Sequence, residues 1–248
     1  MAALGVYEEE HMERLLRVAT CLAMCGYGAQ VGQLAGSARA FYGDAQVWAA
    51  QVHHRGASGR THLMHASFIG SEARVQYLLD RGAAVDAVTV SGMTALMLAS
   101  LKGHLETVCC LVERGGANVN ATKATSGMTA LMMASAKGHL GTVRYLVERG
   151  GANVNAARTT EGYTALFFTS QNGHLETARF LLELGGANVN AVKTTDGLTV
   201  LMCASYKGFL EIVTLLLQHG ADKQAADSAG RTALSYAFAH PLVQNALA

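Results

Sequence analysis

Glycine returns at positions 59, 92, 127, 162, 197 and 230, and at four of them it opens the phrase Gly-x-Thr-Ala-Leu ahead of an apolar run. The intervals are 33, 35, 35, 35 and 33 residues. A fixed period of this size belongs to one supersecondary unit stacked on copies of itself, each burying its apolar surface only against its neighbours. Length therefore does not count domains here, and the 248 residues read as one elongated array.

The unit Gly92–Asn120 shows what is repeated. Thr94 precedes a helix-forming run, and its hydroxyl can satisfy an orphan N–H of the first turn, which predicts a helix from Ala95 to Leu101. Gly103 supplies a tight turn, and Leu105, Val108, Leu111 and Val112 recur at helical spacing as a second helix stopped by Gly115 and Gly116. The Asn-rich stretch that follows forms a loop with local side-chain turns and leads to the next unit. Helices of seven to ten residues are about as short as marginal ones get in water, so stacking is obligatory. The composition suits thin layers: 50% of residues are hydrophobic but only 6% are aromatic.

Gly-x-Thr-x-Leu, Gly-His-Leu-Glu and Gly-Ala-Asn-Val-Asn-Ala recur in this order and register, as at Gly103-His104, Gly138-His139 and Gly173-His174. In these submotifs the chain resembles the ankyrin repeat family over residues 57 to 248. The resemblance implies an all-α solenoid of stacked helix-turn-helix units with hairpin-like connecting turns. It comprises five full units and a C-terminal cap from Gly230, where Pro241 and the short tail leave room for one further helix. It also implies that Asn120, Asn155 and Asn190 are targets of asparagine hydroxylation.

The chain departs from the family pattern at the start of the first helix. Thr-Pro-Leu-His gives way to Ala95 with Met97, Ala130 with Met132 and Ala165 with Phe167. The missing proline removes a pre-set helix start, and the missing histidine removes a polar tie between neighbouring loops, so a more mobile loop row is expected. The 35-residue units add a second glycine, as in Gly150-Gly151, and one residue in the following loop. Such loop insertions mark either a binding face or recent duplication of one unit.

Residues 1 to 56 precede the array and carry helical patterns from Tyr7 to Met24 and from Val31 to Val52, read as an N-terminal helical cap. Leu34, Arg39, Phe41-Tyr42, Asp44 and Trp48 weakly resemble the second half of an F-box, without its leading Leu-Pro. That resemblance implies an alternative function, a substrate-recruiting adaptor of a ubiquitin ligase.

Several chemistries find no support. Nineteen basic residues face 18 acidic ones, so no excess charge calls for nucleic acid or an anionic membrane as partner. Five cysteines without paired spacing read as free thiols in a reducing, cytoplasmic or nuclear compartment. Glu8, Glu9 and Glu10 stand where a secretory leader needs basic residues, and the apolar window Val18–Met24 is too short to span a bilayer. His104, His139 and His174 share one turn position in successive units, about 10 Å apart, too far to share an ion. His62 with His65, and Cys21 with Cys25, lack a second ligand pair. No phosphate-cradling, nucleophile-elbow or zinc-protease motif is present, so no enzyme, cofactor or metal is expected.

The remaining freedom lies in positions the fold does not dictate. After the unit glycines stand Met93, Met128, Tyr163 and Leu198, large apolar side chains where the scaffold accepts polar ones. The first helices end in Phe68-Ile69, Leu101-Lys102, Ala136-Lys137, Gln171-Asn172 and Tyr206-Lys207. In the family these positions line the concave binding face, so Met93, Met128, Tyr163, Leu198, Phe68, Leu101 and Tyr206 are expected to contact another protein. Lys102, Lys137 and Lys207 flank them. Two plainer accounts stand beside this: the apolar side chains fold back over neighbouring loops, and the lysines favour their helix dipoles. The expected function is a non-enzymatic, monomeric interaction scaffold.

Overall fold

A computed structural model of the protein describes residues 58–248. Their helices come as pairs: α1 (His62–Ile69) with α2 (Glu72–Asp80), α3 (Ala95–Lys102) with α4 (Leu105–Glu113), and α5 (Ala130–Lys137) with α6 (Leu140–Glu148). There follow α7 (Ala165–Asn172) with α8 (Leu175–Glu183), α9 (Val200–Lys207) with α10 (Leu210–Gln218), and α11 (Ala233–Tyr236) with α12 (Pro241–Leu247). First helices pack on first helices of adjacent units and second on second, giving an all-α stack two helices deep. The helix expected over Ala95–Leu101 runs one residue further.

The local signals act as the sequence indicates. Thr94 lies in extended backbone and its Oγ1 accepts the Met97 N–H at 3.2 Å; Thr61, Thr129, Thr164 and Thr199 do the same for their helices. Thr232 makes no such bond, and α11 lasts only four residues. In the 35-residue units both added residues fall in turns. Gly150 N–H bonds Tyr145 O at 3.0 Å, and a Cβ there would sit 2.9 Å from Leu146 O, so the first of the paired glycines is required by close backbone approach. The second added residue widens the hairpin tip: Gly162 N–H reaches back to Arg158 O, whereas Gly92 reaches only to Thr89 O.

The core is a row repeated along the stack. Leu96, Leu131, Leu166 and Leu201 are each 1% exposed, and Leu111, Leu146, Leu181 and Leu216 are fully covered. Each such leucine contributes about 2 kcal/mol of burial. The equivalent residue in the last unit, Leu234, is 47% exposed, because among the described residues no further unit follows it.

Candidate partner-binding surface

Met93, Met128, Tyr163 and Leu198 occupy equivalent positions at the base of successive hairpin tips. Their carbonyls accept the N–H of Thr89, Lys123, Arg158 and Lys193 respectively, at 2.8–3.0 Å, which closes each hairpin and fixes where the side chain starts. All four side chains are half-buried and packed against the core. Phe68 and Leu101 are likewise half-buried, whereas Tyr206 is 53% exposed. Lys102, Lys137 and Lys207 are exposed in the last turns of α3, α5 and α9, where positive charge also complements the helix dipole. Each side chain of the apolar stripe thus folds back onto the core and leaves an edge in solvent.

Aromatic and cationic groups of neighbouring units meet on this side. Lys102 Nζ stands 4.5 Å from the Phe68 ring centre of the preceding unit, and Arg60 Cζ stands 5.5 Å from the same ring. Tyr163 lies edge-on to Phe167 at 4.8 Å, and Lys193 of the next tip approaches its ring at 5.6 Å. Tyr206 meets Tyr236 edge-on at 6.4 Å. The sequence pattern locates these residues on one side, but pairings between units could not be read from it.

The tips are tied to one another despite the lost family histidine. Arg158 Nε donates to Ser126 O at 3.1 Å, Thr194 N–H to Glu161 O at 3.0 Å and Ser228 N–H to Asp196 O at 2.8 Å. Arg158 also pairs with Glu161 at 2.9 Å, and Lys193 with Asp196 at 2.8 Å. The Asp196 carboxyl is held below its ordinary range chiefly by the Lys193 ammonium bond. The expected loosening of the loop row finds its counterweight in these bonds.

At the last tip, Asp227 is almost fully buried. Burial pushes its carboxyl up, but the Arg231 N–H and guanidinium, the Tyr236 hydroxyl and the Ala229 N–H all donate to it and leave it well below the carboxylate range. No sequence motif announces this cluster, since it depends on the turn bringing Tyr236 back.

The turn histidines are structural ties, as their spacing implies. Nε2 of His104, His139 and His174 bonds the carbonyls of Phe68, Leu101 and Ala136 in the preceding unit at 3.1–3.2 Å. A carbonyl only accepts, so each ring carries its proton on Nε2. On the opposite edge, an amide clamp is invisible to sequence reasoning. Asn155 Nδ2 donates to Gly186 O at 3.0 Å while its Oδ1 accepts Asn188 N–H at 2.7 Å; Asn120 and Asn190 repeat the arrangement one unit away. The local turns expected of the Asn run also form, with Asn153 Oδ1 accepting Asn155 N–H.

The second-helix side offers a shallow groove between α2 and α4 lined by Glu72, Glu106, Cys109 and Glu113. Burial pushes the Cys109 thiol up and the Glu113 and Glu106 charges add to it; burial also raises Cys110 and takes Cys203 to about 11. These thiols stay protonated at neutral pH, the opposite of an activated nucleophile. Among the described residues no cluster of His, Cys, Asp and Glu has the makings of a metal centre, and no helix is long and apolar enough to cross a membrane. The F-box-like segment, the cap helices and Cys21 with Cys25 lie outside the described residues.

A two-layer stack of capped helix pairs with projecting hairpin tips defines a helical repeat protein of the solenoid class. The ankyrin repeat profile, in three copies, matches residues 30–123, 116–193 and 185–246, and the chain belongs to the ankyrin repeat family. That match begins ahead of residue 57, where the repeated phrases first become legible. The fold is similar to the ankyrin repeat domain of Bcl-3, a member of the IkappaB family (25% identity, TM-score 0.71, covering 92% of this chain and 96% of that one). It is similar to the human ASB11 ankyrin repeat domain (26% identity, TM-score 0.70, 82% and 89% covered). An ankyrin repeat domain from Acinetobacter baumannii AYE shares 31% identity at TM-score 0.66, with 75% and 95% covered. No curated protein matches the chain. Ankyrin repeat domains are in general non-catalytic modules of protein–protein interaction.

Proposed function

We propose that the protein is a non-enzymatic, monomeric scaffold that binds another protein on the face made by its first helices and hairpin tips, the concave side of an ankyrin solenoid. The observation that carries this reading is the row Met93, Met128, Tyr163 and Leu198. Four successive units hold a large apolar side chain in a half-buried socket, with its edge in solvent and an exposed lysine beside three of the helix ends. Side chains that are already ordered lose little entropy on binding, and anchors of this kind dominate interface energetics.

The test is affinity purification with mass spectrometry, comparing wild type with a variant carrying serine at positions 93, 128, 163 and 198, its folding checked by circular dichroism. Loss of a partner from the folded variant alone supports the reading. An unchanged partner list moves recognition elsewhere on the chain.

A further inference from the structure

The near-neutral net charge conceals a division between the two sides of the stack. The first helices and hairpin tips carry eight Lys and Arg residues against three carboxylates, whereas the second helices and the turns after them carry seven against ten. All three carboxylates on the first-helix side are already spent on cations of their own tips: Glu161 on Arg158, Asp196 on Lys193 and Asp227 on Arg231 at 2.7 Å. Arg60, Lys102, Lys123, Lys137 and Lys207 remain, and none has a carboxylate partner among the described residues. Three of these five stand over aromatic rings of the same face, Arg60 and Lys102 over Phe68 and Lys207 over Tyr206.

Resting on the proposed binding face, we infer that its ligand is an extended acidic segment of a partner protein, with apolar side chains between carboxylates spaced about three residues apart. The spacing follows from the stack. Lys102 and Lys137 hold the same register in adjacent units, about 10 Å apart, and Lys207 holds it two units further on. A segment in the polyproline II conformation advances about 3.1 Å per residue with three residues per turn, so every third side chain returns to the same face after about 9 Å, close to one unit. One of the two intervening residues then faces Met93, Met128, Tyr163 and Leu198 in turn. A nucleic acid strand presents a charge about every 3.4 Å, far denser than this row of cations, and has no use for the methionines and leucine between them.

The test pans a random peptide library against the immobilised full chain, using peptides of about 15 residues, the length that spans five units. Enriched peptides and a thymidine oligonucleotide of equal length are then titrated by fluorescence anisotropy against wild type, the triple variant Lys102→Glu, Lys137→Glu, Lys207→Glu, and the serine variant of the apolar row. The three lysines are exposed, so the charge variant keeps its fold, which circular dichroism verifies. The expected result is enrichment of Asp and Glu at three-residue spacing, binding weakened about tenfold or more in the charge variant and by added salt, and weaker binding of the oligonucleotide. Neutral or basic winners that bind the charge variant normally but not the serine variant overturn the acidic ligand and leave the face standing. Winners indifferent to both variants overturn the face as well, and tighter binding of the oligonucleotide assigns the cations to nucleic acid instead.

Discussion

Replacing Gly138 by alanine isolates the contact that fixes one unit on the next. Gly138 ends α5 at φ +70°, and a Cβ there would lie 2.5 Å from Nδ1 of the His174 ring supplied by the following unit. The left-handed backbone alone costs an alanine about 1–2 kcal/mol. Displacing the ring also sacrifices its 3.1 Å bond to Ala136 O, about 1 kcal/mol, with part of its packing besides. Gly138→Ala should therefore destabilise by about 3 kcal/mol in urea unfolding followed by circular dichroism. Two controls divide the cost. Gly151→Ala has a similar φ of +67° but nothing within 4 Å of its new Cβ, so it should cost only about 1–2 kcal/mol. In a His174→Ala background the penalty at position 138 should fall to the same value, a coupling of about 1–2 kcal/mol. Equal costs at 138 and 151, or strict additivity with His174→Ala, would refute the ring-on-glycine contact as the stacking device.

Other outcomes follow from single groups. Ser135 Oγ is buried without a hydrogen-bond partner, whereas Ser205 Oγ donates to Leu201 O at 2.8 Å. Ser135→Ala should then stabilise by about 1 kcal/mol in urea titration and Ser205→Ala should not. Asn155→Ala removes both halves of an exposed amide clamp and should cost about 1–2 kcal/mol, measured by the same unfolding assay, with faster hydrogen exchange at Asn188. The depressed carboxyl of Asp227 gives stability that is present above the ordinary carboxylate value, about 3.9, and is lost as pH falls through and below it. Asp227→Asn should accordingly melt lower at neutral pH, and its melting temperature should fall less steeply in acid than that of wild type.

The architecture was legible because its signals are local and repeated. Thr94, Gly103 and the pair Gly115-Gly116 each act within a turn of where they stand, so the helix bounds emerge within a residue. What stayed hidden acts between units. The carbonyl that His139 bonds lies 38 residues away, and the Asn155 clamp reaches 31 and 33 residues onward. The expectation of a loosened loop row did not count such bonds, because Arg158 with Ser126 and Thr194 with Glu161 join the tips of successive units. The candidate surface was half legible. Period and register place Met93, Met128, Tyr163 and Leu198 on one side, but their degree of burial and the Phe68–Lys102 contact depend on neighbouring units.

Hydrogen–deuterium exchange of the full chain, alone and with a protein captured by it, bears most directly on the claim that the first-helix face does the binding. Bound partner should slow exchange in the tips over 123–128, 158–163 and 193–198 and at the ends of α3, α5, α7 and α9, and leave the second helices unchanged. Protection confined to α2, α4, α6, α8 and α10, or to residues 1–56, would contradict the account.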